Sequence, residues 1–245
     1  MAFDAGIQRT WSVGIWCKGV NARYSLVICS PFVMSTTLCS TTPERNVSTK
    51  SMQRWQLPLN IFEPRYVKLV EDALGADRFM GMIQPQDTKH QTVGEDSSLF
   101  SIGCLGRITE FADPGDGRYE IVLSGVCRFT VARELDKRQG YRRVETDYNL
   151  FLDDLDPGDT AITNRVALLA SLKTYFERRN LETDWDALDE GPDLVLVTTA
   201  AMGCPMKPEE KQLLLEAQTL AKRAEHLQAI LEMALHSIGD TAARH

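Results

Sequence analysis

The chain has 245 residues, of which 43% are hydrophobic and 25% charged, and it carries a net charge of −7. That is ample for one large core or two small ones. No run approaches the roughly 18 to 20 consecutive apolar residues that a membrane span requires, and the best stretch, Ser25 to Met34, is broken by Pro31. The N-terminus shows no basic cluster followed by an apolar run and a cleavage site, so no secretory signal is read and a cytoplasmic location is expected.

Six cysteines form no C-x-x-C pair, and a chain this long needs no disulfide staples, so reduced and mostly buried thiols are expected. His90, His226, His236 and His245 make no H-E-x-x-H pattern, and no zinc site is read. His226 and His236 are expected to be solvated or at a helix end. Residues 1–54 hold six Lys/Arg and two Asp/Glu, a balance of +4, against 21 and 32 in residues 55–245, a balance of −11. An acidic body argues against general nucleic-acid binding, which draws most of its affinity from clustered Lys/Arg on phosphates.

Residues 1–54 are rich in Ser and Thr and show no sustained period beyond Tyr24 to Phe32, so little stable structure is expected there. From Leu57 the pattern sharpens. Leu57, Leu59 and Ile61 alternate as a half-buried strand, and Glu63-Pro64 then hands over to a helix, because proline has no N–H for a ladder yet suits a first helical turn. Tyr66, Leu69, Val70, Ala73 and Leu74 share one helical face, and Gly75 is expected to end the helix in the left-handed region. Phe79 to Ile83 reads as a buried strand and Gln84 to Ser98 as a surface loop. Leu99 to Phe111 and Arg118 to Val131 flank the turn Asp113-Pro114-Gly115-Asp116-Gly117 as a long hairpin, with a bulge or bend expected at Gly125. Tyr141 to Tyr148 adds a strand.

At Asp153 to Asp159 the period changes from 2 to 3.6, which predicts a subdomain boundary. Ile162, Val166, Leu169, Leu172, Tyr175 and Phe176 are expected to line one helix, ended by the cationic Arg178-Arg179. Leu194 to Met202 predicts an apolar helix stopped at Gly203-Cys204-Pro205. Pro208-Glu209-Glu210 then opens a last pair, with Leu213, Leu214, Ala217, Leu220, Ala224, Leu227, Leu231 and Leu235 at three- and four-residue steps. Intramolecular packing is the expectation for that stripe and a coiled-coil dimer the sharper alternative.

Four segments together resemble a known family. They are Leu57 to Tyr66 (LPLNIFEPRY) with Phe79 to Pro85; Ile102 to Ile108 (IGCLGRI); Asp116 to Tyr119 running into Leu123 to Phe129; and Lys211 to Glu216 with its following helix. In this order they resemble the Lon-protease N-terminal, or substrate-binding, domain. The resemblance implies an α+β fold, a PUA-like twisted β pseudo-barrel over 55–156 followed by a helical bundle over 157–237, with a tail at 238–245. The opening strand that usually precedes the LPL run has no match in residues 1–54, which leaves a genuine divergent extension and a start-site or reading-frame artefact as two open readings.

For function, the resemblance implies a stand-alone, non-catalytic member of that family. Its partners would be unfolded or degron-bearing polypeptide and a separate ATP-dependent protease, for which it would act as adaptor or regulator. No membrane partner is expected and nucleic acid is disfavoured. The competing readings are a PUA-like nucleic-acid-binding module and an enzyme with an unrecognised polar site. No G-x-x-x-x-G-K-[ST] or G-x-S-x-G motif occurs, so neither an ATPase nor a Ser/Lys protease module is read.

No catalytic, cofactor-binding or metal residue is nominated, no cofactor is expected, and the polypeptide-contacting surface is not identifiable from sequence. Gly103-x-x-Gly106 is attributed to tight backbone packing. The acidic groups Asp153, Asp154, Asp156 and Asp184, Asp186, Asp189, Glu190 are attributed to helix starts. Glu63 and Arg65 are attributed to fixing the strand-to-helix corner.

Overall fold

The computed structural model describes residues 24–29, 56–86, 97–158 and 160–242. The expectations for the rest of residues 1–55, for 87–96 and for the last residues of the tail fall outside them. The chain divides into two compact units at Asp156/Pro157, one built on a sheet and one on helices.

The sheet unit contains strands β1 (Tyr24–Cys29), β2 (Gln56–Ile61), β3 (Phe79–Ile83), β4 (Ile102–Ala112), β5 (Tyr119–Arg138) and β6 (Tyr141–Asp147), in the order β2-β5-β4-β3-β1-β6. All pairings are antiparallel except β1 with β3. β5 is long enough to pair with β4 through Thr130 and with β6 from Thr130 onward, so the sheet bends back on itself. Among the described strands β2 stays outside as an edge, which makes the architecture a pseudo-barrel with a free edge and not a closed barrel. The apolar run in residues 1–54 that shows a period does become structure: β1 fills the space between β3 and β6, satisfying backbone groups on both flanks.

Helix α1 (Pro64–Leu74) starts with Pro64 in its first turn and buries Tyr66, Leu69, Val70 and Ala73. These meet Ile61, Met80, Ile108, Ile121, Leu123 and Tyr141 in one core cluster. Gly75 does not take the expected left-handed conformation; its φ is −73°. The reversal comes later, at Arg78 (φ 64°), whose N–H donates to the Ala73 carbonyl at 2.9 Å.

A second cluster gathers Ile83, Leu105, Cys127, Phe129 and Val144. Gly103 is forced there: a Cβ at that position would lie 2.7 Å from the Met82 carbonyl oxygen and from side-chain atoms of Ile83 and Phe129, whereas at Gly106 the nearest atom is 3.4 Å away. The expected irregularity at Gly125 appears as a register shift, with Leu105 opposite Cys127 and Gly106 opposite Gly125.

The helical unit comprises α2 (Arg165–Arg179), α3 (Trp185–Glu190), α4 (Asp193–Gly203), α5 (Pro208–Glu216) and α6 (Leu220–Ala242). Leu168, Leu169, Leu172, Tyr175, Leu196, Val197, Leu214, Leu227, Ile230 and Leu231 belong to its core, so the leucine stripe of α6 packs within the chain. Val166 does not line the core as expected, being 82% exposed. α2 begins only at Arg165, and its buried arc runs through Leu168 instead. Arg165 ties the start of α2 to its neighbours. It pairs with Asp193 and donates to the carbonyls of Leu188 (2.7 Å), Asp189 (2.8 Å) and Gly191 (2.9 Å), while Asp193 accepts from the Ile162 N–H at 2.7 Å.

Candidate functional site

Two physical features can hold an extended polypeptide: an open sheet edge or exposed apolar surface. Among the described strands the free edge is β2, whose centre is Pro58 opposite Val122. Proline has no N–H, so Pro58 cannot sit in a hydrogen-bonded pair with β5, and by alternation Leu57, Leu59 and Ile61 bond inward while Gln56, Pro58 and Asn60 face the free edge. An added strand would meet a missing donor at the middle of that edge. Natural sheets use prolines in this way to discourage edge pairing.

The exposed apolar surface lies at the end of the same strand. Ile61 is buried opposite Tyr119, and the next residue, Phe62, is 66% exposed. Phe111, near the end of β4, is 42% exposed and packs against Tyr119 with ring centroids 5.0 Å apart and the rings tilted by 58°. The Tyr119 hydroxyl donates to Glu71 Oε1 of α1 at 3.3 Å, and Glu71 also receives Lys68 Nζ at 2.7 Å. Tyr119 thus ties α1 to the hairpin end, and Phe62 and Phe111 lie exposed at the same end of the sheet. This rim sits where β2 passes into α1 and where the β4–β5 hairpin turns.

Glu63 and Arg65 flank the corner. Arg65 Nε donates to Glu63 Oε2 at 2.9 Å, and its guanidinium lies 4.7 Å from the centre of the Tyr66 ring. The Glu63 carbonyl accepts from the N–H groups of Tyr66 (2.9 Å) and Val67 (3.0 Å), opening the helix. The corner is thus braced locally and Phe62 is held out of the core.

Several charged groups elsewhere are occupied with structure. Asp154 takes Arg128 in a two-pronged pair (Nε to Oδ2 2.8 Å, Nη2 to Oδ1 2.7 Å), and also accepts the Arg128 N–H at 2.9 Å. The guanidinium covers the Phe151 ring at 4.3 Å, which fastens the 3-10 helix Asn149–Leu155 to β5. Buried Arg142 pairs with Glu134 and donates to the Ser97 carbonyl at 2.6 Å. Asp184 caps α3 by accepting from the Ala187 N–H at 3.1 Å. His226 is half-buried within α6 rather than solvated, and His236 is exposed. Among the described residues, no group of three or more His, Cys, Asp or Glu is placed to hold a metal ion.

The arrangement most like reactive chemistry is Cys204 with Lys211. Lys211 is only 4% exposed, and its Nζ donates to the Met202 carbonyl at 3.3 Å. Burial pushes the Lys211 ammonium below its ordinary value, and pushes the Cys204 thiol up to about 12, with Lys211 opposing only in part. A thiol so disposed stays protonated at neutral pH and is no nucleophile.

It does shape alkaline stability. The folded-state value exceeds the ordinary 9.0, so the stabilisation is complete below pH 9 and is lost as pH rises toward 12. By about pH 11 the loss should be about 2.5 kcal/mol. The lowered Lys211 works in the opposite sense, adding stability as pH climbs from its folded value to the unfolded one. Chemical denaturation of Cys204→Ala and the wild-type protein at pH 8 and pH 11 separates the two: the variant should lose clearly less stability over that interval, and an equal loss would show that Cys204 carries none of it.

Phe62 and Phe111 are not nominated by the sequence reading. A signal was present for one: in a half-buried strand that alternates inward at Leu57, Leu59 and Ile61, an apolar residue directly after Ile61 must point the other way or leave the strand. No comparable signal marks Phe111, which in one dimension is only the last residue of a hairpin arm.

Fold and site define a mixed sheet-and-bundle module whose candidate contact surface is apolar. The sequence model described as the ATP-dependent protease La (LON) substrate-binding domain matches residues 55–233, and the chain belongs to that family. Among curated proteins, it is 37% identical over 78 residues to Lon protease 2 of Sorangium cellulosum, covering 31% of this chain and 9% of that protein. It is 21% identical over 196 residues to Lon protease of Syntrophus aciditrophicus, covering 75% of this chain and 24% of that protein. The chain thus spans less than a quarter of the length of the curated relatives it matches. Two solved structures share the fold. The Lon N-terminal domain protein from Xanthomonas campestris has a TM-score of 0.51 at 23% identity, covering 71% of this chain and 89% of that one. The N-terminal domain of Mycobacterium avium complex Lon protease has 0.53 at 14%, covering 86% and 98%. No described helix is long and apolar enough to cross a membrane.

Proposed function

We propose that this chain is a non-catalytic polypeptide-recognition module of the Lon type, which takes hold of unfolded or degron-bearing segments in the cytoplasm and serves a separate ATP-driven protease as adaptor or regulator. The observation that carries the reading is Phe62, a large apolar side chain left 66% exposed at the same end of the sheet as the Phe111–Tyr119 pair. Membership of the substrate-binding family supports it. The blunted edge at Pro58 favours contact through side chains at the rim over strand addition. A nucleic-acid module fits less well, because residues 55–245 carry a charge balance of −11.

The test is binding of a permanently unfolded model polypeptide to the wild-type protein and to Phe62→Ala/Phe111→Ala. Truncating two exposed aromatic contacts should weaken binding by about tenfold or more, with the melting temperature nearly unchanged because neither residue is in a core. Equal affinity for the two proteins would remove the rim from the account. Absence of binding by the wild type would remove polypeptide recognition altogether.

A further inference from the structure

β4 runs on past the strand beside it. β3 pairs with β4 from Phe79 opposite Arg107 to Met82 opposite Cys104, and Ile108 extends the contact, its N–H donating to the Arg78 carbonyl at 2.8 Å. β4 continues to Ala112, and among the described strands none lies beside Thr109 to Ala112 on that flank. These four residues are all exposed. The direction of their backbone groups follows from the proline of β2. Because Pro58 has no N–H, Val122 opposite it turns its own N–H and carbonyl toward β4, where Glu110 is its partner, and Glu120 bonds Ala112 in the same way. By alternation the Phe111 N–H and carbonyl point away from β5, to the flank that β3 no longer covers. Among the described residues nothing meets them, and the side chain of the same residue is 42% exposed. An unmet donor, an unmet acceptor and an exposed apolar ring coincide at Phe111.

Resting on the polypeptide-recognition reading, we propose that an extended, unfolded segment joins β4 here as a short added strand, in line with β3 and antiparallel to β4. One residue of the segment lies opposite Phe111, gives its N–H to the Phe111 carbonyl and accepts the Phe111 N–H. Directly opposed residues share a face of the sheet, so its side chain lies beside the Phe111 ring and an apolar one is favoured. The residues on either side of it turn to the other face, and their N–H groups point away from β4. The partner is therefore any segment with an apolar residue that keeps its N–H, which rules out proline at that one place. Main-chain bonds make this kind of contact tolerant of sequence, and the side-chain contact supplies its selectivity. Pro58 turns a strand away from β2, whereas no proline interrupts Thr109 to Ala112. With one outward residue before the turn at Asp113-Pro114, the site suits a segment of a few residues better than the long edge of a second copy.

The experiment uses the full chain and a short labelled peptide with a central phenylalanine between threonine and valine residues, together with derivatives N-methylated at one residue each, with binding followed by fluorescence anisotropy. N-methylation of the central residue should weaken binding to the wild-type protein about tenfold, and N-methylation of either neighbour should leave it nearly unchanged. Two variants divide ring from backbone. Phe111→Ala keeps the N–H, so it should bind the unmodified peptide more weakly than the wild type but retain the penalty for central N-methylation. Phe111→Pro removes the N–H as well, and should bind the unmodified peptide about tenfold more weakly than Phe111→Ala; its melting temperature should stay close to that of Phe111→Ala, because the lost N–H serves no bond to β5. If Phe111→Pro does not fold, the methylation series on the wild type decides alone. Equal weakening at all three methylated positions, or at none, would overturn strand addition while leaving recognition through side chains standing. So would binding of a permanently unfolded polypeptide without binding of the peptide. Self-association of the protein that Phe111→Pro abolishes, with no peptide bound, would overturn the proposed occupant and give the edge to a second copy. Failure of both the peptide and the unfolded polypeptide to bind the wild type would instead overturn the recognition reading itself.

Discussion

Leu227→Asp is expected to unfold the helical unit. Leu227 is fully buried in α6, among Leu168, Leu172, Leu196, Leu214 and Leu231 of one core cluster. The substitution removes a large apolar side chain, leaves a void, and puts a carboxylate where no cation or donor awaits it. Loss of a buried leucine alone costs about 2 to 5 kcal/mol, and an unpaired buried charge adds to that unless the group protonates. The sum approaches or exceeds the whole stability of an ordinary domain, about 5 to 15 kcal/mol. Circular dichroism should show loss of helical signal at room temperature. Met233→Asp on the same helix is the control: Met233 is 62% exposed, and its substitution should change stability by no more than about 0.5 kcal/mol. A Leu227→Asp protein that melts like the wild type would contradict the packing described for the bundle.

The second large effect is expected at Gly103. Any Cβ there would stand 2.7 Å from the Met82 carbonyl oxygen, a backbone atom that cannot move aside without disturbing the β3–β4 ladder. Gly103→Val adds two further methyl groups, so the cost should be about 3 kcal/mol or more, at the upper end of overpacking penalties. At Gly106 the nearest atom is Leu123 Cβ at 3.4 Å, and Gly106→Ala should cost about 1 kcal/mol or less. Urea denaturation of both variants decides it. Equal destabilisation would mean that the close approach of β3 to β4 is not what holds position 103 to glycine.

These two glycines show how far the sequence could be read. The motif Gly103-x-x-Gly106 suggested tight backbone packing at both ends, and only the structure separates the crowded position from the roomy one, because crowding depends on Met82, Ile83 and Phe129 arriving from other strands. Periodicity served well where one face is buried and the other is wet. LPLNIFEPRY gives strand, corner and helix because its alternation and Pro64 leave few other options, and the α6 stripe at Leu220, Ala224, Leu227 and Leu231 is buried as its spacing implies.

Periodicity failed where polar residues do structural work. β5 continues to Arg138, well beyond Val131, because Arg133 and Glu134 find Glu145 and Arg142 across the ladder with β6; such charged pairs look like a loop in one dimension. On α5, Lys211 and Gln212 are buried while Leu213 is exposed, an inversion that follows from Lys211 reaching the end of α4 at the Met202 carbonyl. The rim was hidden for a related reason. Nothing in one dimension links Phe62 to Phe111; the pairing of Ile61 with Tyr119 and of Phe111 with Ile121 brings them to one end of the sheet.

Recognition of unfolded polypeptide through that rim is tested most directly by hydrogen–deuterium exchange of the full chain with and without a saturating, permanently unfolded polypeptide. Slowed exchange should be concentrated in the segments carrying Phe62, Phe111 and Tyr119, with the free edge at Gln56 to Asn60 and the α6 core segment little changed. Protection confined to the β2 edge, or no protection anywhere in the sheet unit under saturating conditions, would contradict it.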